Sequence, residues 1–180
     1  MRVALPGVRK LPPPVSDSPW SADFVMRSLE ILPIFLRDGR IHWHRPQQAD
    51  SLRVGWRTAA APADLVTEAL RPYGLRPDLV HSTSWRHEGD SVVLTYVAVV
   101  PPDQALAARS SPLRPVAVGH VDLARGSARG APERIAIEQV VEHALRHLSW
   151  LSKDDPVVRD ELGTWSSVLA SFEPEPFRSL

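Results

Sequence analysis

Ten residues, Ser91 to Val100, constrain the fold most. The run SVVLTYVAVV is strongly apolar. Such a run belongs at the centre of a sheet, where both faces are covered. Pro101-Pro102 stops it, because proline cannot continue a central ladder. HEGDS ahead of it reads as a turn, and Leu79 to Arg86 supplies the preceding strand.

A helix is expected before these strands, from Pro62 to Arg71. Pro62 suits a first helical turn, and Leu65, Val66, Ala69 and Leu70 form a stripe at helical spacing. Gly74 fits the C-terminal turn. Further upstream, residues 21–37 are apolar, but Pro33 argues against a continuous helix. The reading is a short helix or extended piece, then a strand through Ile34 to Leu36. Asp38-Gly39 is a hairpin signal. Ile41 to Arg45 forms the return strand, and Leu52 to Arg57 another.

Downstream, residues 101–114 read as a loop or short helix, and Val116 to Leu123 as a strand. ARGSARGA reads as a flexible, positively charged loop. Pro132 to Leu151 is the clearest helix, with Ile137, Val140, Val141, Ala144, Leu145, Leu148 and Leu151 on one stripe. A last helix is expected from about Pro156 to Phe172, with Asp155 as its N-cap. The tail EPEPFRSL reads as irregular. Five prolines make residues 1–20 an extended arm, leaving 21–180 as a single domain. Layer logic makes this an α/β (α+β) protein.

Composition excludes several functions. With 21 basic and 21 acidic residues the formal net charge is +0, which argues against a nucleic-acid-binding module. Low net charge gives little repulsion between copies, which is compatible with a homodimer. The absence of cysteine removes disulfides, thiolate metal sites and cysteine nucleophiles. With no signal-peptide core and no apolar run of membrane-spanning length, a cytoplasmic protein is expected.

The segments ILPIFLRDGRIHWHRP and APADLVTEALRPYGLRPDLVHSTSWRHEGDSVVLTYVAVV resemble the opening hairpin and the middle of a Nudix hydrolase. The resemblance is strongest over residues 31–100. It implies an α/β/α sandwich with a mixed sheet and a long C-terminal helix pair. The family's box runs G-x5-E-x7-R-E-U-x-E-E-x-G-U, with U apolar. Setting its last two positions on Gly74 and Leu75 puts its first glycine on Arg53, its first glutamate on Ala59 and its arginine on Thr67. Glu68 matches the next glutamate and Ala69 the apolar position. The final two glutamates fall on Arg71 and Pro72. In the family these glutamates hold Mg²⁺ or Mn²⁺, which neutralises a diphosphate and activates water. Glu68 alone remains from that trio.

The resemblance therefore implies a binding or interaction protein without hydrolase activity and without a cofactor. Its partner would be a nucleotide, a nucleotide-derived metabolite or a protein. The alternative is a metal-dependent hydrolase of nucleoside diphosphate-linked substrates. It would use Glu68 with Mg²⁺ or Mn²⁺ and draw displaced carboxylates from Glu133, Glu138, Glu142 or Asp122.

Other candidates come from spacing. His143 and His147 share a helical face, an arrangement that binds zinc given a third ligand; the plainer reading is two boundary histidines with satisfied ring nitrogens. His42 and His44 flank Trp43 and point to one strand face. They could line a pocket or form a solvent-facing edge. His120 and Asp122 share a strand face and could form a His–carboxylate pair or be polar neighbours. Trp85 is a candidate for stacking on a ligand, although packing is the commoner role of Trp56, Trp85, Trp150 and Trp165. The loop from Arg125 to Arg129 could meet phosphates or simply be solvated. No G-x-x-x-x-G-K-[ST] or G-x-G-x-x-G phosphate loop is present.

Overall fold

A computed structural model describes residues 26–56, 60–107, 112–123, 132 and 134–174. The proline-rich arm, the ARGSARGA loop with Arg125 to Arg129, Glu133, and all but the first two residues of the EPEPFRSL tail lie outside the described residues.

The strands are β1 (Met26–Arg37), β2 (Arg40–Pro46), β3 (Leu52–Gly55), β4 (Leu79–Glu88), β5 (Ser91–Val99) and β6 (Leu113–Ala117). The helices are α1 (Pro62–Leu70), α2 (Pro102–Ala107), α3 (Ile137–Asp154), α4 (Pro156–Glu161) and α5 (Ser166–Leu169). One mixed sheet runs β4-β5-β1-β2-β6, with β3 also pairing β1. β1 lies parallel to β5, and the other pairings are antiparallel.

Helices cover both faces of this sheet. Leu32, Ile34, Trp43, Val97 and Val99 pack against α3, α4 and α5. Leu29, Ile31, Phe35 and Ala98 pack against Val66 and Leu70 of α1 and Ala105 of α2. The fold is thus an α/β sandwich with a mixed sheet and a C-terminal helix pair, as expected. Alternate residues of β1 and β5 serve the two cores, which is why SVVLTYVAVV carries apolar side chains on both faces. Leu148 of α3 is fully buried, and truncating such a leucine to alanine costs about 2–5 kcal/mol.

Turn chemistry fixes the strand ends. Asp38 and Gly39 both have positive φ, joining Arg37 to Arg40 in a two-residue hairpin loop. Asp155 caps α4 by accepting from the Val157 and Val158 N–H groups.

Three expectations need correction. The segment before Ile34 is neither helix nor a separate piece; β1 is continuous from Met26 through Pro33. Alternate residues of a strand address opposite neighbours. Val100 N–H donates to the Ile34 carbonyl and Trp56 N–H to that of Arg27, so even residues address β5 and odd residues the β2/β3 side. The N–H that Pro33 lacks would point between β3, whose pairing ends at Ile31, and β2, whose pairing begins at Ile34. Proline costs no ladder bond there.

The strand expected over Val116 to Leu123 instead occupies Leu113–Ala117. His120 and Asp122 therefore do not sit on a strand. The last helix is broken into α4, a 3-10 turn at Gly163–Trp165, and α5. Its buried residues Val158, Leu162, Trp165 and Leu169 still join the α3 core.

Candidate functional site

The most unusual side chain in the sheet is Glu30. It lies in the middle of β1, on the α3 face, and is 0% exposed. A carboxylate there is tolerable only if its oxygens are filled. Arg86 donates from Nη1 to Oε2 at 2.6 Å and from Nη2 to Oε1 at 2.8 Å. Arg53 Nη2 donates to Oε1 at 3.0 Å. Ser51 Oγ donates at 2.7 Å and Thr95 Oγ1 at 3.2 Å. Burial pulls the Glu30 pKa up, but the Arg86 and Ser51 hydrogen bonds and the two guanidinium charges outweigh it. The net pKa lies below the ordinary carboxylate value, so Glu30 is ionised.

Glu88 closes the arrangement at the surface. Arg53 Nη1 donates to its Oε2 at 2.5 Å, and Arg53 Nη2 to its Oε1 at 2.9 Å. Arg86 Nε also donates to Oε1 at 2.9 Å. The Arg53 hydrogen bond is the main reason its pKa falls to about 2. Both arginines are held in their charged form. Two carboxylates and two guanidiniums thus form a neutral quartet drawn from β1, β3 and β4.

Pairing geometry brings them together. Arg53 stands opposite Glu30 across β1 and β3. Arg86 reaches the same face because β4 has a bulge between Ser82 and Ser84. Before the bulge, odd residues such as His81 face α3. After it, even residues do: Ser84 opposite Thr95, and Arg86 opposite Val93. Thr83 is the extra residue. Such a bulge re-aims a side chain without ending the strand.

The quartet lines an open cleft of about 650 Å³. Glu30, Asp50, Ser51, Arg53, Arg86 and Glu88 form its polar wall, and Ile135, Ile137 and Val140 its apolar one. A smaller cleft of about 210 Å³ shares Arg86, Ile135 and Val140 with it. That cleft adds Trp85, Leu123, Pro132 and His143. At the far rim Arg45 bridges Asp50 and Glu138.

Of the residues singled out by sequence, His143 lines the smaller cleft; Trp85 borders it from β4, with its side chain among the odd residues that face away from α3 after the bulge. Trp85 is 65% exposed, and its ring stands edge-on to His87 at 5.5 Å. His42 and His44 share a face as expected, but His44 is not at a solvent-facing edge. It is buried and stacked on Phe35 at 4.7 Å. Ala105 backbone lies close enough to nudge its pKa up, yet among the described residues neither ring nitrogen meets a partner in hydrogen-bonding geometry. Burial dominates and holds the imidazole pKa below its ordinary value. His42 also stacks on Phe35, at 5.6 Å. Neither histidine lines the two clefts.

His120 faces Glu142 rather than Asp122, with Nδ1 3.5 Å from Oε2. Glu142 is 0% exposed and accepts from Arg146 Nε at 2.7 Å. His147 meets His81, Nε2 to Nε2, at 3.3 Å. Burial lowers both pKa values.

Glu68 accepts from Arg71 at 2.6 Å on the exposed side of α1. The sheet separates it from Glu138 and Glu142 of α3, since α1 and α3 serve opposite cores. Glu138 and Glu142 therefore do not gather around Glu68. Among the described residues, no group of three or more His, Asp or Glu side chains could hold a metal ion. No described helix is long and apolar enough to cross a membrane.

Sequence reasoning missed Glu30, Ser51, Thr95 and Glu88, and it saw Arg53 only as a mismatch to a glycine. Two signals were present. Glu30 is a lone acid within an apolar run, and Arg86 and Glu88 are two apart on one strand. No protein-family model matches the chain, and no curated protein matches it.

Proposed function

We propose that this chain is a non-catalytic binding protein on a Nudix-like fold, with a nucleotide or nucleotide-derived metabolite as its ligand. The ligand would lie between the sheet and the N-terminal half of α3. The observation that carries the reading is the junction of the two clefts at Arg86, with a charged wall on one side and an apolar wall on the other. Guanidinium forks match phosphoryl oxygens in geometry and charge. Ile135, Leu123 and Pro132 suit the apolar faces of a base. The larger cleft is of ordinary ligand-site size.

Hydrolysis is disfavoured on chemical grounds. The family reaction needs several carboxylates around a divalent cation. Glu68 is tied to Arg71, and the α3 carboxylates lie across the sheet from it.

The test is a thermal-stability screen against nucleoside di- and triphosphates and nucleoside diphosphate sugars, with and without Mg²⁺ and Mn²⁺. Each stabilising compound is then assayed for turnover. Stabilisation without turnover, weakened by Arg86→Gln, is expected. Metal-dependent turnover that vanishes in Glu68→Gln would refute the reading, as would stabilisation by none of these compounds.

A further inference from the structure

We propose that Arg53 and Arg86 form a seat for a phosphoryl oxyanion, and that the Glu88 carboxylate fills this seat in the free chain as an internal competitor. The proposal rests on the reading above for where the ligand lies.

The charge inventory sets it up. Glu30 is fully buried and held by both arginines, Ser51 and Thr95. It is a fixed part of the wall and cancels one of the two guanidinium charges. The second positive charge is balanced by Glu88. That side chain is 40% exposed and ends β4, next to the Gly89-Asp90 turn. The hydrogen bonds that hold its carboxylate come from Arg53 and Arg86. Rotation of its side chain into water leaves the β4–β5 pairing intact.

The geometry sets the ligand class. Glu88 receives three N–H donors from two guanidiniums at 2.5–2.9 Å. A phosphoryl group presents three oxygens and more charge to the same donors. It would replace Glu88 without leaving the arginines unpaired. All four residues line the larger cleft, so the seat opens to solvent where a ligand enters. Glu88 stays ionised down to about pH 2, so it competes throughout the physiological range. Direct competition for one seat lowers the apparent affinity of any oxyanion.

The experiment titrates inorganic pyrophosphate into the full chain, Glu88→Ala and Glu88→Gln by calorimetry, with circular dichroism to confirm folding. Glu88→Ala should bind about tenfold tighter than wild type, which is about 1.4 kcal/mol. Glu88→Gln, which keeps the shape and loses the charge, should lie between them. Adding Arg53→Gln to Glu88→Ala should cancel the gain. If Glu88→Ala does not fold, the comparison rests on Glu88→Gln and on guanidinium Nε shifts of wild-type Arg53 and Arg86 during the titration. Equal affinity in wild type and the Glu88 variants overturns the competitor role while leaving the binding reading intact if nucleotides bind. Tighter binding of succinate than pyrophosphate in Glu88→Ala overturns the phosphoryl assignment. No binding of pyrophosphate or nucleotides by any form overturns both.

Discussion

Arg86 grips Glu30 through both carboxylate oxygens, at 2.6 and 2.8 Å, although 56 residues separate them in the chain. Glu30 is 0% exposed and the Arg86 side chain 14%. This contact joins an edge strand to β1 across β5, at the floor of the larger cleft.

Removing one partner of a buried pair is costly, because the survivor keeps its charge and loses its neutraliser. Glu30→Ala should destabilise the chain by about 3 kcal/mol, with Arg53 and Arg86 left to share Glu88. Urea unfolding measures this. A loss well under about 1 kcal/mol would mean that the quartet behaves as a surface ion-pair group.

The bulge at Thr83 makes a second expectation. Without Thr83, Ser82 opposite Tyr96 can be followed directly by Ser84 opposite Thr95. Deleting Thr83 should therefore give a folded chain in which Arg86 still reaches Glu30. Glu30→Ala should remain as damaging in that background. If its cost disappears there, Arg86 has turned to the other face and the register account is wrong.

Acid should weaken the fold through its histidines. Burial holds His44, His81 and His147 below their ordinary pKa of 6.5. The unfolded chain therefore takes up protons at a higher pH than the folded one. The stability they contribute is complete above about pH 6.5 and is lost as pH falls through the folded values. His44→Leu removes one such group and also relieves its buried ring nitrogens. Scanning calorimetry between pH 7.5 and 5.5 should show a falling Tm in wild type and a shallower fall in His44→Leu. An equal or steeper slope in the variant would sink this account.

Glu68→Gln should do little. Its ion pair with Arg71 is exposed on both sides, and such pairs contribute roughly 0–1 kcal/mol. Stability should change by about 0.5 kcal/mol or less, and nucleotide affinity should not move. A large loss of either would give Glu68 a role that its exposed position on α1 does not explain.

Local chemistry alone determined much of the architecture. Asp38-Gly39 fixed a hairpin, Pro62 and Gly74 bracketed the α1 region, and the stripe from Ile137 to Leu151 fixed α3. The apolar run from Ser91 to Val100 required a covered sheet. These signals are legible because each depends on neighbours within a turn or two. Pro33 misled for the same reason: its tolerance depends on where β3 stops and β2 starts, which no local rule contains. The bulge hid Arg86 similarly, since strict alternation from Leu79 puts it on the wrong face.

The departures from the family's glutamates at Arg71 and Pro72 were readable in the sequence. The quartet was not. Glu30, Ser51, Arg53, Arg86, Glu88 and Thr95 lie up to 65 residues apart. Only parallel pairing of β1 with β5, antiparallel pairing of β1 with β3, and one bulge put them on one face. Only the tertiary structure decided that Glu30 is a buried, ionised anchor. A carboxylate's burial is set by the donors that distant strands bring to it, and not by the residues beside it in the chain.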